Sequence, residues 1–306
     1  MKKFGIAAIT VISAAAFATG CGSSSQSSTS AADTQAAQTE STEESKEEET
    51  EKSADNVKVS IGVVGSVYDE LWAGPKAKLA DEGVDLDIVQ FSDYVTPNNA
   101  LNSGEIDLNA FQHQIYLNNE IEQYGYDIDV AGYTFIIPLN LYSKKVSAVS
   151  ELKNGDVVAI PDDVTNGGRA IKVLAAAGLI TLKNDANFNP TVDDIKTYNT
   201  KIEIKELKAN TIPSVLDDVA AAVINGNYAL DFGLKTDEAI YKDSVLDEEK
   251  YWNLIAARKA DLNNSDKAEV YKKVVKAFQT AETEKVFNDQ FGGYFIKVGW
   301  DQDLIK

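Results

Sequence analysis

The one histidine of the chain, His113, lies in the stretch DLNAFQHQIYL and raises the question of catalysis. A serine nucleophile would need a base and an orienting acid, and the sequence contains no G-x-S-x-G turn. One histidine with carboxylates makes a poor zinc site, and the only cysteine, Cys21, follows an apolar N-terminal run. Walker and G-x-G-x-x-G loops are also absent from the sequence. We therefore expect no catalytic residue, no metal and no cofactor.

Aromatic residues accompany this histidine in the sequence. Phe111 and Tyr116 lie within three positions of His113, and Tyr94 precedes them in SDYVTPNNAL. Their apolar faces and polar ring edges suit a pocket for a soft apolar side chain. Ordinary core aromatics around one satisfied histidine are the alternative, and the residue types alone favour that alternative.

A cationic residue follows two glycines in the stretch IPDDVTNGGRAIKVL. Thr165 or Asn166 is a suitable N-cap, which would place Arg169 in the first helical turn. The helix dipole disfavours a cation there by a few tenths to about 1 kcal/mol. A ligand carboxylate held by the guanidinium and the helix N-terminus would compensate. A salt bridge to Asp162 or Asp163 would also do so, and the spacing leaves both possibilities open.

Asparagines occur at the ends of apolar runs. Asn225 and Asn227 follow the run AAAVI directly, and Asn253 lies within YWNLIAA. Their amides offer donors and acceptors to a small polar ligand. An ordinary Asn-Gly-Asn turn is the alternative for the first pair, and the spacing favours it. A polar residue inside an apolar run such as that of Asn253 needs a partner, from the protein or from a ligand.

The surrounding pattern alternates strands and helices. VKVSIGVVGS predicts a buried strand, the next segment a helix closed by Gly83, and VDLDIVQF another strand. After the interrupted strand VAGYTFIIPLNLYS, a second cycle runs from GDVVAIPDD through GGRAIKVLAAAG, the strand KIEIKELK and the short helix PSVLDDV to AAAVI. The strand YWNLIAARKAD precedes one long amphipathic helix, DKAEVYKKVVKAFQTAETEKVFNDQFGG. The pattern predicts an α/β fold of two lobes, joined by crossing segments near 138–143 and 251–258, with a ligand cleft between the lobes.

The N-terminal region has the composition of an export and tethering segment. Residues 1–20 combine Lys2 and Lys3 with a short apolar run, as in a secretory signal peptide. The residues ATGC resemble a bacterial lipobox, so we expect Cys21 to be lipidated and to anchor the protein. Residues 21–56 are rich in Ser and Glu and predict a disordered tether. We expect lobe 1 to comprise residues 57–140 and 254–306, and lobe 2 residues 141–253.

The charge balance excludes one class of partner. The chain has a net charge of −19, of which the tether holds −7, and Lys2 and Lys3 hold +2. Residues 57–306 therefore carry −14, which argues against nucleic acid because phosphate binding needs a basic face.

Five stretches resemble the NlpA lipoprotein family, the methionine-binding receptors of ABC importers. They are SDYVTPNNALNSGEIDLNAFQHQIYL, GYTFIIPLNLYSKK, VVAIPDDVTNGGRAIKVLAAAGLITLK, SVLDDVAAAVINGNYAL and YWNLI. The resemblance covers nearly all of residues 57–306 and implies a type II periplasmic-binding-protein fold that encloses methionine between its lobes.

The resemblance also implies the roles of the site residues. It places Tyr94, Phe111, His113 and Tyr116 in the side-chain pocket, Arg169 and Asn166 on the carboxylate, and Asn225 and Asn253 on the amino-acid head group. Ile115 and Ser214 depart from the family pattern, but neither is a ligand position.

We expect a lipid-anchored protein on the extracytoplasmic face of the cell membrane that delivers methionine to a permease and its ATPase. Another small amino acid or a methionine-containing dipeptide is the alternative ligand. An enzyme acting on an acidic small molecule would show turnover, and an adhesin would bind no small molecule.

Overall fold

The computed structural model describes residues 56–183 and 188–305. The signal peptide, the lipidation of Cys21 and nearly all of the tether fall outside the described residues, so these three expectations remain predictions. Within the described ranges, no helix combines the length and the apolar character that crossing a membrane requires.

The strands follow the apolar runs of the sequence. Strand β1 is buried over its second half, whereas VDLDIVQF alternates over its first half between buried and exposed residues, as a strand with one covered face does. The strands are β1 (Val57–Val64), β2 (Val84–Phe91), β3 (Leu108–Asn109), β4 (Ile128–Tyr133), β5 (Phe135–Ile136), β6 (Asn140–Tyr142), β7 (Val157–Pro161), β8 (Ile180–Leu182), β9 (Ile195–Tyr198), β10 (Glu203–Leu207), β11 (Ala221–Ile224), β12 (Ala239–Tyr241), β13 (Leu254–Arg258) and β14 (Ile296–Lys297).

Several helices begin at a side-chain cap or end at a glycine. The side chain of Asn264 accepts from the backbone N–H groups of Asp266 and Lys267, and Gly125 ends a helix with a φ of 70°. The helices are α1 (Val67–Asp81), α2 (Thr96–Ser103), α3 (Gln114–Tyr124), α4 (Val164–Ala176), α5 (Gly226–Asp231), α6 (Lys259–Leu262), α7 (Ser265–Phe278) and α8 (Ala281–Asp289).

Three predicted elements differ from the structure. The long C-terminal helix is two helices, because Thr280 leaves the helical conformation and caps α8 by accepting from the N–H of Thr283. The run VAGYTFIIPLNLYS forms three separate strands, and Pro138 lies between the last two. PSVLDDV forms only a 3₁₀ turn over Pro213–Val215.

Five of the described strands form a first sheet in the order β2-β1-β3-β13-β4. Strands β1, β2 and β3 are parallel, and β13 is antiparallel to both of its neighbours. Helices α1, α7 and α8 cover this sheet, and their aromatic side chains meet at Trp72 and Phe278, whose ring centroids are 4.8 Å apart.

A second sheet within the described residues has the order β10-β7-β11-β6-β12. Strands β10, β7 and β11 are parallel, and β6 runs antiparallel to β11 and β12. Helix α4 packs its apolar face on this sheet, where Ile171 and Leu174 join Ile160 and Val223 in one buried cluster.

The chain passes between the sheets twice. It leaves the first sheet after β4 and enters the second at β6, and it returns between β12 and β13. These two passages overlap the crossing segments that the sequence predicted near 138–143 and 251–258. The lobe boundaries at 140 and 253 remain a prediction. The carboxyl ends of β1, β3, β7 and β11 lead into the loops that carry the candidate site, which is where α/β folds bind small molecules.

Candidate ligand-binding site

The candidate site is one cavity that all eight residues predicted from the sequence line. It holds about 440 Å³ of space not filled by protein atoms. Four of these residues lie in the loops and the helix α3 that come after strands of the first sheet, three lie in α4 or directly after β11 of the second sheet, and one precedes β13. They are Tyr94, Phe111, His113, Tyr116, Asn166, Arg169, Asn225 and Asn253. The structure thus brings the whole predicted set together, and their roles towards a ligand remain a proposal.

The start of α4 positions two of these side chains. The N-cap is Asp163, whose carboxylate accepts from the backbone N–H of Asn166 at 2.9 Å. The predicted N-caps Thr165 and Asn166 are therefore wrong, because the preceding aspartate already satisfies this helix end. Arg169 consequently lies in the second turn, where the dipole penalty expected for the first turn is weaker.

Arg169 is buried and partly paired. Its Nη2 atom donates to Asp243 Oδ2 at 2.6 Å and to the carbonyl oxygen of Ile137 at 3.1 Å. The guanidinium lies over the ring of Tyr251, 4.4 Å from its centroid. Its counter-ion is therefore Asp243. The salt bridge to Asp162 or Asp163, which was the alternative predicted from the sequence, does not form. Arg169 Nε has no hydrogen-bond partner in the described structure, so a buried cationic donor remains open.

Asn225 offers the complementary group. Its Nδ2 atom donates to Asn166 Oδ1 at 2.9 Å, which fixes the orientation of the amide. Its Oδ1 atom is buried and has no partner among the described residues. The cavity therefore contains one open cationic donor and one open neutral acceptor. A carboxylate and an ammonium group are the ligand groups that would satisfy them.

His113 is the N-cap of α3 and reaches across the cavity. Its Nδ1 atom accepts from the N–H of Tyr116 at 3.2 Å, so the proton of the neutral ring resides on Nε2. That Nε2–H donates to Asn166 Oδ1 at 3.2 Å. Burial, with the positive charge of Arg169 as the next cause, lowers the pKa of His113 to about 4. His113 is therefore a neutral positioning group at pH 7.

The aromatic residues form the apolar wall. The ring of Tyr94 stacks on Phe111 with centroids 5.9 Å apart and meets the edge of Tyr116 at 6.2 Å. The hydroxyl of Tyr116 donates to the carbonyl oxygen of Tyr94 at 3.0 Å, which keeps its polar end out of the apolar space. Sulfur–aromatic contacts with such rings contribute about 0.3–1.5 kcal/mol each.

Asn253 lies in the cavity wall just before β13, rather than inside a strand. Its backbone forms a bridge with that of His113, and its N–H donates to the carbonyl oxygen of Phe135 at 2.7 Å. This pairing ties the strand β13 to the loop that carries the histidine. The backbone partners thus account for the position of Asn253, and they leave its side chain on the cavity surface.

Seven further lining residues were not in the predicted set, and three of them carry polar side chains. Tyr68 comes from α1, Gln112 from the FQHQ segment and Asn227 from α5. Asn227 accepts from the hydroxyl of Tyr94 and donates to the carbonyl oxygen of Val64 at 3.0 Å. The position of Asn227 just after an apolar strand was visible in the sequence as a feature of a binding residue. Tyr68 lies on the buried face of α1, where its sequence position does not distinguish it from a core residue.

The described residues contain no group of three or more His, Cys, Asp or Glu side chains that could hold a metal ion. The donors and acceptors of the cavity are an arginine, amides and a neutral histidine. This set can bind and orient a small zwitterion.

Comparison with known proteins relates the chain to one family. A family model described as NlpA lipoprotein matches residues 59–299. A protein of Vibrio cholerae named "Probable D-methionine-binding lipoprotein MetQ" is 41% identical over 255 residues, which cover 82% of this chain and 91% of that protein.

Solved structures show the same fold. A nutrient-binding protein from Burkholderia cenocepacia, solved bound to methionine, is 40% identical with a TM-score of 0.71, covering 78% of this chain and 99% of its own. The substrate-binding protein of a methionine transporter from Streptococcus pneumoniae is 32% identical with a TM-score of 0.75, covering 79% and 95%. The α/β fold of a substrate-binding protein, predicted from the sequence, is confirmed by these similarities.

Proposed function

The chain belongs to the NlpA lipoprotein family, and from that membership we propose that it captures methionine in the cavity and delivers it to an ABC importer. In this role it binds and releases its ligand without chemical change. The finer parts of the proposal are lipidation at Cys21, attachment to the extracytoplasmic face of the membrane, and transfer to a permease with its ATPase.

One observation in the cavity carries the choice of an amino acid. The open donor Arg169 Nε and the open acceptor Asn225 Oδ1 are both buried, and both lack a partner among the described residues. An unsatisfied buried polar group costs about 1–3 kcal/mol, so a ligand that satisfies both gains affinity from each. The α-carboxylate and the α-ammonium of an amino acid, both attached to one carbon atom, supply these groups.

The aromatic wall supports a thioether side chain. Phe111 and the two tyrosines around it offer polarizable apolar faces rather than hydrogen-bond donors. In this assignment Arg169 and Asn166 hold the carboxylate, Asn225 and Asn253 the amino-acid head group, and the aromatic residues with His113 the sulfur end. Burial and the charged clamp supply most of the affinity, and the sulfur contacts adjust selectivity.

Calorimetric titration of the refolded protein tests the proposal, with L-methionine, D-methionine and glycyl-methionine as ligands. We expect one-to-one binding of methionine, and Arg169→Ala should weaken it far more than Tyr116→Phe, which removes one neutral hydrogen bond. Binding of the dipeptide alone would change the substrate. Absence of binding by all three would contradict the proposed function.

A further inference from the structure

The charge of the cavity wall is set by two residues. Arg169 is the only residue with an ionised side chain among the described residues that line the cavity. Asp243 lies behind it, with 2% of its side chain exposed, and its Oδ2 atom is 2.6 Å from Arg169 Nη2. The two form a neutral pair inside the protein, on the wall that faces the proposed carboxylate position.

Hydrogen bonds fix the carboxylate of Asp243 in place. Besides the guanidinium, it accepts from the N–H of Leu139 at 3.2 Å and from the N–H of Val245 at 3.0 Å. Its own N–H donates to Asn140 Oδ1 at 2.9 Å. Arg169 in α4 and the adjacent residues Leu139 and Asn140 thus hold Asp243 from two other parts of the chain, which keeps its charge in place when a ligand binds.

Asp163 is a further acidic residue behind the cavity wall, and it does not line the cavity itself. Asp163 is separated from the cavity by Asn166, and its carboxylate accepts from Asn166 and from the hydroxyl of Thr165. His113 is neutral. Without ligand, the charges of Arg169 and Asp243 therefore balance each other, and burying a net charge beside this pair is costly.

We propose that Asp243 is a specificity-determining residue that, by neutralising Arg169, makes the site select ligands whose head group is a zwitterion. This inference rests on the proposed function, which it extends to the chemical class of ligand. A carboxylate without an amine would leave a net negative charge next to Asp243. A zwitterion leaves the region neutral.

The test is Asp243→Asn in the full-length protein, titrated with L-methionine and with 4-(methylthio)butanoate, which lacks the amino group. We expect the parent to prefer L-methionine strongly. In the variant, Arg169 and the butanoate form a neutral pair, whereas methionine leaves one positive charge. The ratio of the two dissociation constants should therefore shift towards the butanoate by about tenfold or more.

A matched control removes a comparable carboxylate elsewhere. Asp261 Oδ2 is 2.6 Å from the Nη2 atom of Arg258, away from the cavity, and its side chain is mostly buried. Asp261→Asn should lower stability and leave the ratio of the two dissociation constants unchanged. A ratio that shifts equally in both variants, or in neither, would overturn the proposal.

A second comparison does not depend on the folding of that single variant. Arg169→Gln leaves the carboxylate of Asp243 without its counter-ion. The double variant Arg169→Gln/Asp243→Asn removes both charges of the pair. The cation 3-(methylthio)propylamine should bind the single variant about tenfold more tightly than the double variant. Equal affinities would contradict the role of Asp243, whereas failure of the parent to bind methionine would contradict the proposed function instead.

Discussion

The hydrogen bonds of His113 link its protonation state to stability. The folded protein needs the neutral ring, because a proton on Nδ1 would face the N–H of Tyr116 that this atom now accepts. Burial and the charge of Arg169 lower the pKa to about 4, compared with about 6.5 in an unfolded chain. At pH values between these two pKa values, His113 binds more protons in the unfolded state than in the folded state. This histidine therefore destabilises the folded state progressively as the pH falls through that window.

We expect His113→Asn to remove this pH dependence. Asparagine is a good N-cap and does not titrate, so the start of α3 is preserved. Urea unfolding of both proteins from pH 7 to pH 4 should show the free energy of unfolding of the parent falling, relative to the variant, by roughly 2–3 kcal/mol.

The comparison between the two proteins is essential because carboxyl groups with shifted pKa values also change the stability in this pH range, and those with a raised pKa act in the opposite direction to His113. Burial raises the pKa of Glu120 to about 7, so this group makes the folded state more stable as the pH falls through the range above its unfolded value. It contributes equally to both proteins and cancels in the difference. Parallel curves for parent and variant would show that His113 is not held in its neutral form.

The residues of the site differed in how well the sequence could predict them. Asn225 and Arg169 follow buried strands, and the carboxyl ends of parallel strands in one sheet converge on one edge. Asp243 could not be predicted in this way. It lies in a loop, 74 positions from the arginine that it pairs with, and nothing in the sequence around it indicates that contact.

At the scale of elements, one helix is capped by a residue from the other sheet. Helix α1 packs on the first sheet. Its N-terminal donors are satisfied by Asp231, the last residue of α5, which follows strand β11 of the second sheet. The carboxylate accepts from the N–H of Val67 and the hydroxyl of Ser66, each at 2.8 Å. Gly65 permits the approach, because a Cβ atom there would lie 2.1 Å from the carboxylate.

We expect Asp231→Ala to weaken methionine binding as well as stability. Loss of an N-cap costs about 0.5–2 kcal/mol, and here the loss also removes a contact between the two halves that enclose the cavity. Thermal unfolding measures the first effect and calorimetric titration the second, for which we expect a several-fold weaker affinity.

The matched control is Asn264→Ala. Asn264 caps α7 through the N–H groups of Asp266 and Lys267, within the layers of the first sheet. This variant should lose similar stability and keep its affinity. If Asp231→Ala also kept full affinity, the contact with α1 would be a helix cap without a role in enclosing the ligand.

Local patterns predicted most elements but failed where tertiary contacts decided. The apolar periodicity continues from α7 into α8, so the sequence indicated one helix. In the structure Gln279 instead donates its side-chain amide to the carbonyl oxygen of Tyr133, and Thr280 starts a new helix. That bond joins residues 146 positions apart, which no helical period encodes.

At the scale of the molecule, side-chain hydrogen bonds join the two halves of the chain around the cavity. The hydroxyl of Tyr228 and the amide of Asn210 both donate to the carbonyl oxygen of Ser92, at 3.4 and 3.2 Å. His113 and Asn166 form another contact of this kind. Water can replace hydrogen bonds of this kind when the halves separate, and a ligand that binds only the closed arrangement shifts the equilibrium towards it.

We expect methionine to shorten the distance between spin labels placed on opposite sides of the cleft. Val95 is 64% exposed and immediately precedes α2 in predicted lobe 1. Val164 is 55% exposed and is the first residue of α4 in predicted lobe 2. In a Cys21→Ser background, labels at Val95→Cys and Val164→Cys should give a broad, longer distance distribution without ligand. Double electron–electron resonance should show it becoming shorter and narrower with methionine.

A pair within one predicted lobe separates closure from local change. Tyr124 is 53% exposed and, like Val95, lies within residues 57–140. Labels at Val95→Cys and Tyr124→Cys should keep their distance when methionine binds, because each lobe moves as one body. A shift in both pairs would contradict the lobe boundaries at 140 and 253. No shift in either pair, with methionine bound, would mean that the cavity fills without closure, so that the bonds to Ser92 are permanent features of the fold.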